Sequence, residues 1–174
     1  MEDLRYPIGQ FVLPEEISQD TIEQWINELE GIPQELQDAI VGLNDEQLDT
    51  SYRPDGWTLR QVVHHLADGN INAYIRFKLA LTEDEPIIVP FNEERWADLS
   101  DSVELRPEVS VSLLRVLHQR WVKTLRGLNQ EDFQRSFIHP EGGKTELRKA
   151  LGFFVWHGKH HIAHITSFRN RKGI

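Results

Sequence analysis

Apolar residues recur with a helical period along four stretches of the chain. The first stripe comprises Ile22, Trp25, Ile26, Leu29, Ile32, Leu36, Ile40 and Leu43, with Asp20 and Glu23 as acidic residues at its start. Gly31 and Pro33 interrupt this stripe, and Pro33 predicts a kink. The turn-rich stretch "NDEQLDTSYRPDGWT" ends in a strong start signal. Thr58 and Gln61 are spaced as a capping box, and Trp57 and Val62 as a hydrophobic staple, so a second helix is expected over residues 59–81. A third begins near Pro107, carries Leu114, Leu117, Trp121, Leu125 and Leu128, and stops around Asn129. After the loop containing "IHPEGGK", Thr145 is placed to cap a fourth helix. That helix closes on Arg169, Arg171, Lys172 and Gly173, cations and a glycine suited to its negative end. No segment carries a convincing strand period. The pattern therefore predicts an all-α fold, a four-helix bundle, whose interior can build a site from side chains on facing helices.

Between the stripes, residues 1–16, with Pro7, Gly9 and Pro14, read as an extended arm along the surface or a partner subunit. The acidic segment "TEDEPIIVPFNEERWADLSDSVELRP" holds two internal prolines and one expected short helix around Trp96. Connections of this length are often lids or interface segments. With 174 residues the chain is expected to form a single domain, residues 1–174.

Histidine is distributed unevenly. Residues 153–165 read "FFVWHGKHHIAHI", placing four of the chain's eight histidines inside an apolar run. With each helical residue advancing about 100°, and His157 taken as zero, Leu147, Ala150, Leu151, Phe154, Ile165 and Phe168 cluster between roughly 20° and 120°. His157 and His161, at about 0° and 40°, lie on the inward side. His164 and His160, near −20° and −60°, fall on the flank and are expected to be solvated or to orient the inward pair. On the second helix, "VVHHLADGN" puts His65 at the edge of the apolar face and His64 farther round. Gln61, Gly69, Asn72 and Arg76 follow the His65 line, a column that fits equally a cavity wall and a water-facing side. His118 and His139 read as boundary histidines without chemistry.

Two imidazoles at i and i+4 share a face and can reach one metal ion, with His65 as a third ligand from another helix. Burying imidazoles in an apolar bundle costs about 1–3 kcal/mol each unless partners are found, and a shared ion supplies that partner. The alternative is a set of core histidines bonded within the fold. The chain contains no cysteine, so a metal must be held by His and carboxylate. There is no HExxH, no phosphate-binding glycine loop and no nucleophile elbow. The acids of "TEDE" and "NEER" read as solvated loop charges, with nothing to place them beside the histidines.

The net charge of −9, with no basic stripe to offset it, argues against a nucleic-acid partner. No apolar run approaches the roughly 20 residues of a spanning helix, and the N-terminus lacks the pattern of a signal peptide, so no membrane partner and a cytoplasmic location are expected.

The blocks "RYPIGQF", "DGWTLRQVVHHLADGN", "YIRFKLALTE" and "GFFVWHGKHHIAHI" together resemble the YfiT branch of the DinB-like superfamily over nearly the whole chain. The resemblance implies an up-down-down-up bundle, a homodimer, and one divalent metal per subunit held by three histidines. One ligand precedes Leu-Ala-Asp on the second helix and two lie at i,i+4 on the last, which here are His65, His157 and His161. It further implies a metal-dependent hydrolase, or alternatively an S-transferase using a low-molecular-weight thiol such as bacillithiol. A noncatalytic metal-binding bundle and a dimeric scaffold are the alternatives outside enzymology.

In the enzymatic reading, three neutral imidazoles leave the ion its charge and open positions, and it activates water or a thiol. Zinc is the default ion, with nickel and iron also suited to such ligands. Asn72 and Arg76 are the expected contacts of a small-molecule substrate's carboxylate.

Overall fold

The computed structural model describes residues 4–174. In chain order the elements are α1 (Gln19–Ile40), α2 (Asp45–Leu48), α3 (Leu59–Thr82), α4 (Glu93–Ala97), α5 (Ser100–Glu104), α6 (Pro107–Leu125), α7 (Gln130–Gln134), β1 (Ser136–His139), β2 (Gly143–Glu146) and α8 (Leu147–Lys172). The four long helices form the expected bundle. Both α1 and α3 pack against α6 and α8, so α1 faces α3 across one diagonal and α6 faces α8 across the other. This is the up-down-down-up topology. Because α3 and α6 run in the same direction, residues 83–106 must travel back along the bundle, which accounts for the long acidic connection.

Local chemistry explains most helix ends. Thr58 and Gln61 form the predicted capping box, each side chain bonding the other's backbone N–H. The cap of α1 is Ser18 rather than Asp20, with its hydroxyl accepting from the Thr21 N–H. Thr145 does not cap α8. It lies within β2, paired with Phe137, and Glu146 occupies the cap position without a side-chain bond. The Leu147 N–H instead donates to the Arg135 carbonyl at 2.8 Å, so a neighbouring chain segment does the work of the cap.

The hairpin itself departs from the strandless expectation. Each strand has four residues, too few for an alternating pattern to stand out, and Gly143 at φ +73° makes the reversal. The hairpin also holds the acidic connection: Ile138 donates to the Pro86 carbonyl and accepts from the Ile88 N–H. That connection carries two short helices, α4 and α5, where one was expected around Trp96.

Helix α1 continues through Pro33. Proline has no N–H for the Leu29 carbonyl, and His118 Nδ1 donates to that oxygen at 2.7 Å. On its other side His118 Nε2 lies 3.0 Å from the Asn70 side-chain oxygen. His118 thus sits in the core rather than at the boundary, bridging α1, α3 and α6. It borders no part of the cavity described below, in keeping with a role in structure rather than chemistry.

The α1–α8 seam depends on two glycines. A Cβ at Gly158 would fall 2.5 Å from Ile32 Cδ1, and one at Gly152 would fall 2.6 Å from the Trp25 ring. No described helix is long and apolar enough to cross a membrane.

Two predictions follow from this packing. Gly158→Ala should lower the unfolding free energy by about 1–3 kcal/mol of overpacking, less up to ~1 kcal/mol of helix propensity, in urea denaturation. Unchanged or increased stability would show that the seam yields. Burial lowers the His118 pKa from 6.5 to about 4, so the unfolded chain binds the extra proton between these values. The corresponding stability is present above pH 6.5 and is lost as the pH falls through 4. In metal-free protein, His118→Gln should therefore flatten the acid side of the stability curve, by up to about 3 kcal/mol. A variant with the wild-type slope would contradict this.

Candidate metal centre

The capping box that starts α3 fixes its register and places His65 inward, 3% exposed. Trp57, one residue before the cap, lies with its ring 4.6 Å from the His65 ring and 6.4 Å from that of His161. On α8, His157 and His161 share a face, with ring centres 4.5 Å apart. One ring nitrogen from each of His65, His157 and His161 can be chosen so that all three lie within 4.8 Å of one another. Between α3 and α8, the Nε2 atoms of His65 and His157 face each other at 3.3 Å.

Burial is the largest influence on all three rings. It lowers His65 to about 4, helped by His164, and holds His157 and His161 well below the ordinary histidine value, helped by the neighbouring imidazoles. The three rings are therefore neutral at pH 7, the form in which imidazole offers a lone pair. His157 Nδ1 is buried and has no hydrogen-bond partner among the described residues. Converging neutral nitrogens, two of them facing each other and one ring with an unpartnered atom, form a donor set that a divalent cation fits.

The triad borders a cavity of about 1080 Å³, large enough for a small organic molecule. Tyr6 and Phe11 of the arm form one side, with Phe11 edge-on to Phe153 and tilted against Trp156. The arm thus lies on the same chain's last helix; its expected residues 1–3 are outside the described range. Arg76 also borders the cavity, and its Nε is buried without a partner. Burial lowers the Arg76 pKa while Glu93 raises it. Glu93 stands at the cavity's exposed rim, where desolvation pushes its carboxyl up and Arg76 pulls it back. One acid of "NEER", though exposed, thus borders the same cavity as the histidines, where the sequence offered nothing to place it beside them. Asn72 does not border it: its amide donates to the Asp68 carbonyl within α3.

Of the two alternatives for the flanking histidines, solvation and orientation of the inward pair, the first does not hold. His160 and His164 are 7% and 3% exposed rather than solvated, and with His161 they form a second close group of imidazoles. The helical wheel locates the apolar face of α8 but gives no account of what covers its flank. Tyr6 of the arm lies against His160, and Tyr52 stacks on His164 at 4.1 Å. His64 is likewise buried, bonded to the Ser110 hydroxyl and the Leu105 carbonyl away from the triad. His139, assigned no chemistry from sequence, lies at the end of β1 and borders the cavity. Trp57 carried a readable signal as half of a staple; the contributions of the arm and of Glu93 come from distant segments and had none.

Comparison with known proteins agrees with this architecture. The DinB superfamily model matches residues 28–165. Proteins of Bacillus cereus (strain 03BB102) and Bacillus thuringiensis subsp. konkukian (strain 97-27), both provisionally named metal-dependent hydrolases, are 54% identical over 171 residues, covering 98% of each chain. Among solved structures, YfiT from Bacillus subtilis, described as "a probable metal-dependent hydrolase with an unusual four-helix bundle topology", is 49% identical and superimposes with a TM-score of 0.95 over 98% of both chains. Helix order, extent and sequence all agree: this chain belongs to the DinB superfamily.

Proposed function

We propose that the protein is a mononuclear metal-dependent hydrolase in which His65, His157 and His161 hold one divalent cation. The observation that carries this reading is the convergence of three neutral imidazole nitrogens from two helices beside a cavity of substrate size. The names of the Bacillus relatives support it. A cation bound there supplies a Lewis acid that can lower the pKa of coordinated water to about 7.

The chain's own residues supply binding and orientation. Trp57 packs against two of the three ligand rings and limits their rotation. Phe11, Phe153 and Trp156 form an aromatic wall on one side of the cavity, an apolar surface for the substrate to pack on. Arg76, whose Nε is buried without a hydrogen-bond partner among the described residues, offers a cation to a carboxylate on the substrate. The same feature favours a second reading, transfer of an acid-bearing low-molecular-weight thiol to an electrophile. The chain has no cysteine, so such a thiol must come from a substrate. Zinc is the default ion and nickel the next choice, since imidazole suits both.

Protein purified without affinity metals and loaded with Zn²⁺ should retain one ion per chain, and His65→Ala, His157→Ala or His161→Ala should each abolish stoichiometric retention while far-ultraviolet circular dichroism stays helical. Retention in all three variants would end the metal assignment. Hydrolysis and thiol transfer separate by mass spectrometry of a generic ester or epoxide incubated with the loaded protein, with and without small thiols. Products that form only with thiol would replace the hydrolase reading by the transferase one. For whichever substrate is turned over, Arg76→Ala should raise KM at least tenfold for a carboxylate-bearing form, and an unchanged KM would remove Arg76 from the binding site.

A further inference from the structure

His164 is not one of the three candidate ligands, yet this ring is among the most constrained in the molecule. It is 3% exposed and stacked on Tyr52. Both of its nitrogens are engaged: Nε2 lies 3.0 Å from the Arg5 carbonyl oxygen and Nδ1 lies 3.3 Å from Nδ1 of His161.

These two contacts determine where the protons reside. A carbonyl oxygen only accepts, so His164 Nε2 carries its proton and donates to Arg5. A neutral imidazole has a single N–H, so His164 Nδ1 presents a lone pair. The nitrogen facing that lone pair must then be the donor, which puts the His161 proton on Nδ1. His161 is left with one lone pair, on Nε2, available to the ion it would share with His65 and His157.

We propose that His164 is the positioning residue of the metal centre, fixing the tautomer and ring plane of His161 through a relay that begins at the Arg5 carbonyl. The inference rests on the three-histidine metal reading and adds the reason His161 is prepared to ligate before an ion arrives. Metal-binding histidines commonly donate their second nitrogen to a carbonyl or carboxylate. Here another imidazole takes that place, and the carbonyl stands one ring farther out, on the N-terminal arm.

The competing use of these side chains is a second ion bound by His160, His161 and His164, whose nitrogens also come within 4.8 Å of one another. Serving two ions would require His161 to lose both ring protons. It would also leave Nδ1 of His164 as that ring's ligand atom, because Nε2 is committed to Arg5. The hydrogen-bonded relay needs neither change.

The test uses the full-length chain with Zn²⁺ as probe. In metal-free protein, ¹⁵N-detected imidazole spectra should show His164 as the Nε2–H tautomer and His161 as the Nδ1–H tautomer; the opposite tautomer on either ring would overturn the relay. In competition with a chromophoric chelator, His164→Leu should weaken Zn²⁺ binding about 10–100-fold and free the His161 tautomer, whereas His164→Gln, which keeps one acceptor and one donor, should recover most of the affinity. Affinity within twofold of wild type in His164→Leu would overturn the proposal. So would two Zn²⁺ per wild-type chain falling to one in the variant, since His164 would then be a ligand. If His164→Leu fails to fold, the wild-type tautomers still decide. Wild-type protein that binds no Zn²⁺ would sink the metal reading, while the spectra would still report on the relay itself.

Discussion

A neutral imidazole has one proton and one lone pair, and the packing of α3 against α8 brings several such rings together where water is scarce. Each ring nitrogen must then find a matching neighbour or remain unsatisfied. The fold answers this constraint differently at each histidine. His118 meets a carbonyl released by Pro33, and His64 meets a hydroxyl and a carbonyl between α3 and α6. His164 meets the arm and His161. Among the described residues His65, His157 and His161 bring ring nitrogens together from two facing helices beside the cavity, whereas the second close group, His160, His161 and His164, lies along α8 alone.

The helices were legible because their causes are local. A capping box at Thr58, proline at the first turn of α6 and a cationic, glycine-terminated end to α8 each act within a few residues. The inward pair on α8 was legible for a related reason: helical geometry alone sets the angle between a side chain and its own apolar face. The hairpin was not, since four-residue strands give no usable period and its stability comes from pairing with the acidic connection as well as within itself. Thr145 shows the same limit, because a residue suited to capping was drawn into a strand.

The site divides along the same line. Its candidate ligands were proposed from one helix plus one residue of another, with family resemblance supporting the choice, and the fold brings their nitrogens together. Its walls could not. Tyr6, Phe11 and Glu93 reach the cavity from segments whose approach depends on tertiary packing. The same contacts explain why His160 and His164, near the edge of the wheel, are nevertheless buried: a flank is open only if no other part of the chain covers it. Asn72 and Arg76 shared one column on α3, but only the longer arginine borders the cavity.

The contact between Arg5 and His164 joins positions separated by 159 residues. The arm is made well before α8, so a growing chain cannot assemble this side of the site until α8 has followed it. The imidazole cluster therefore acquires its arranged form only together with the tertiary packing of the arm and α3 on α8, not with the making of α8 alone.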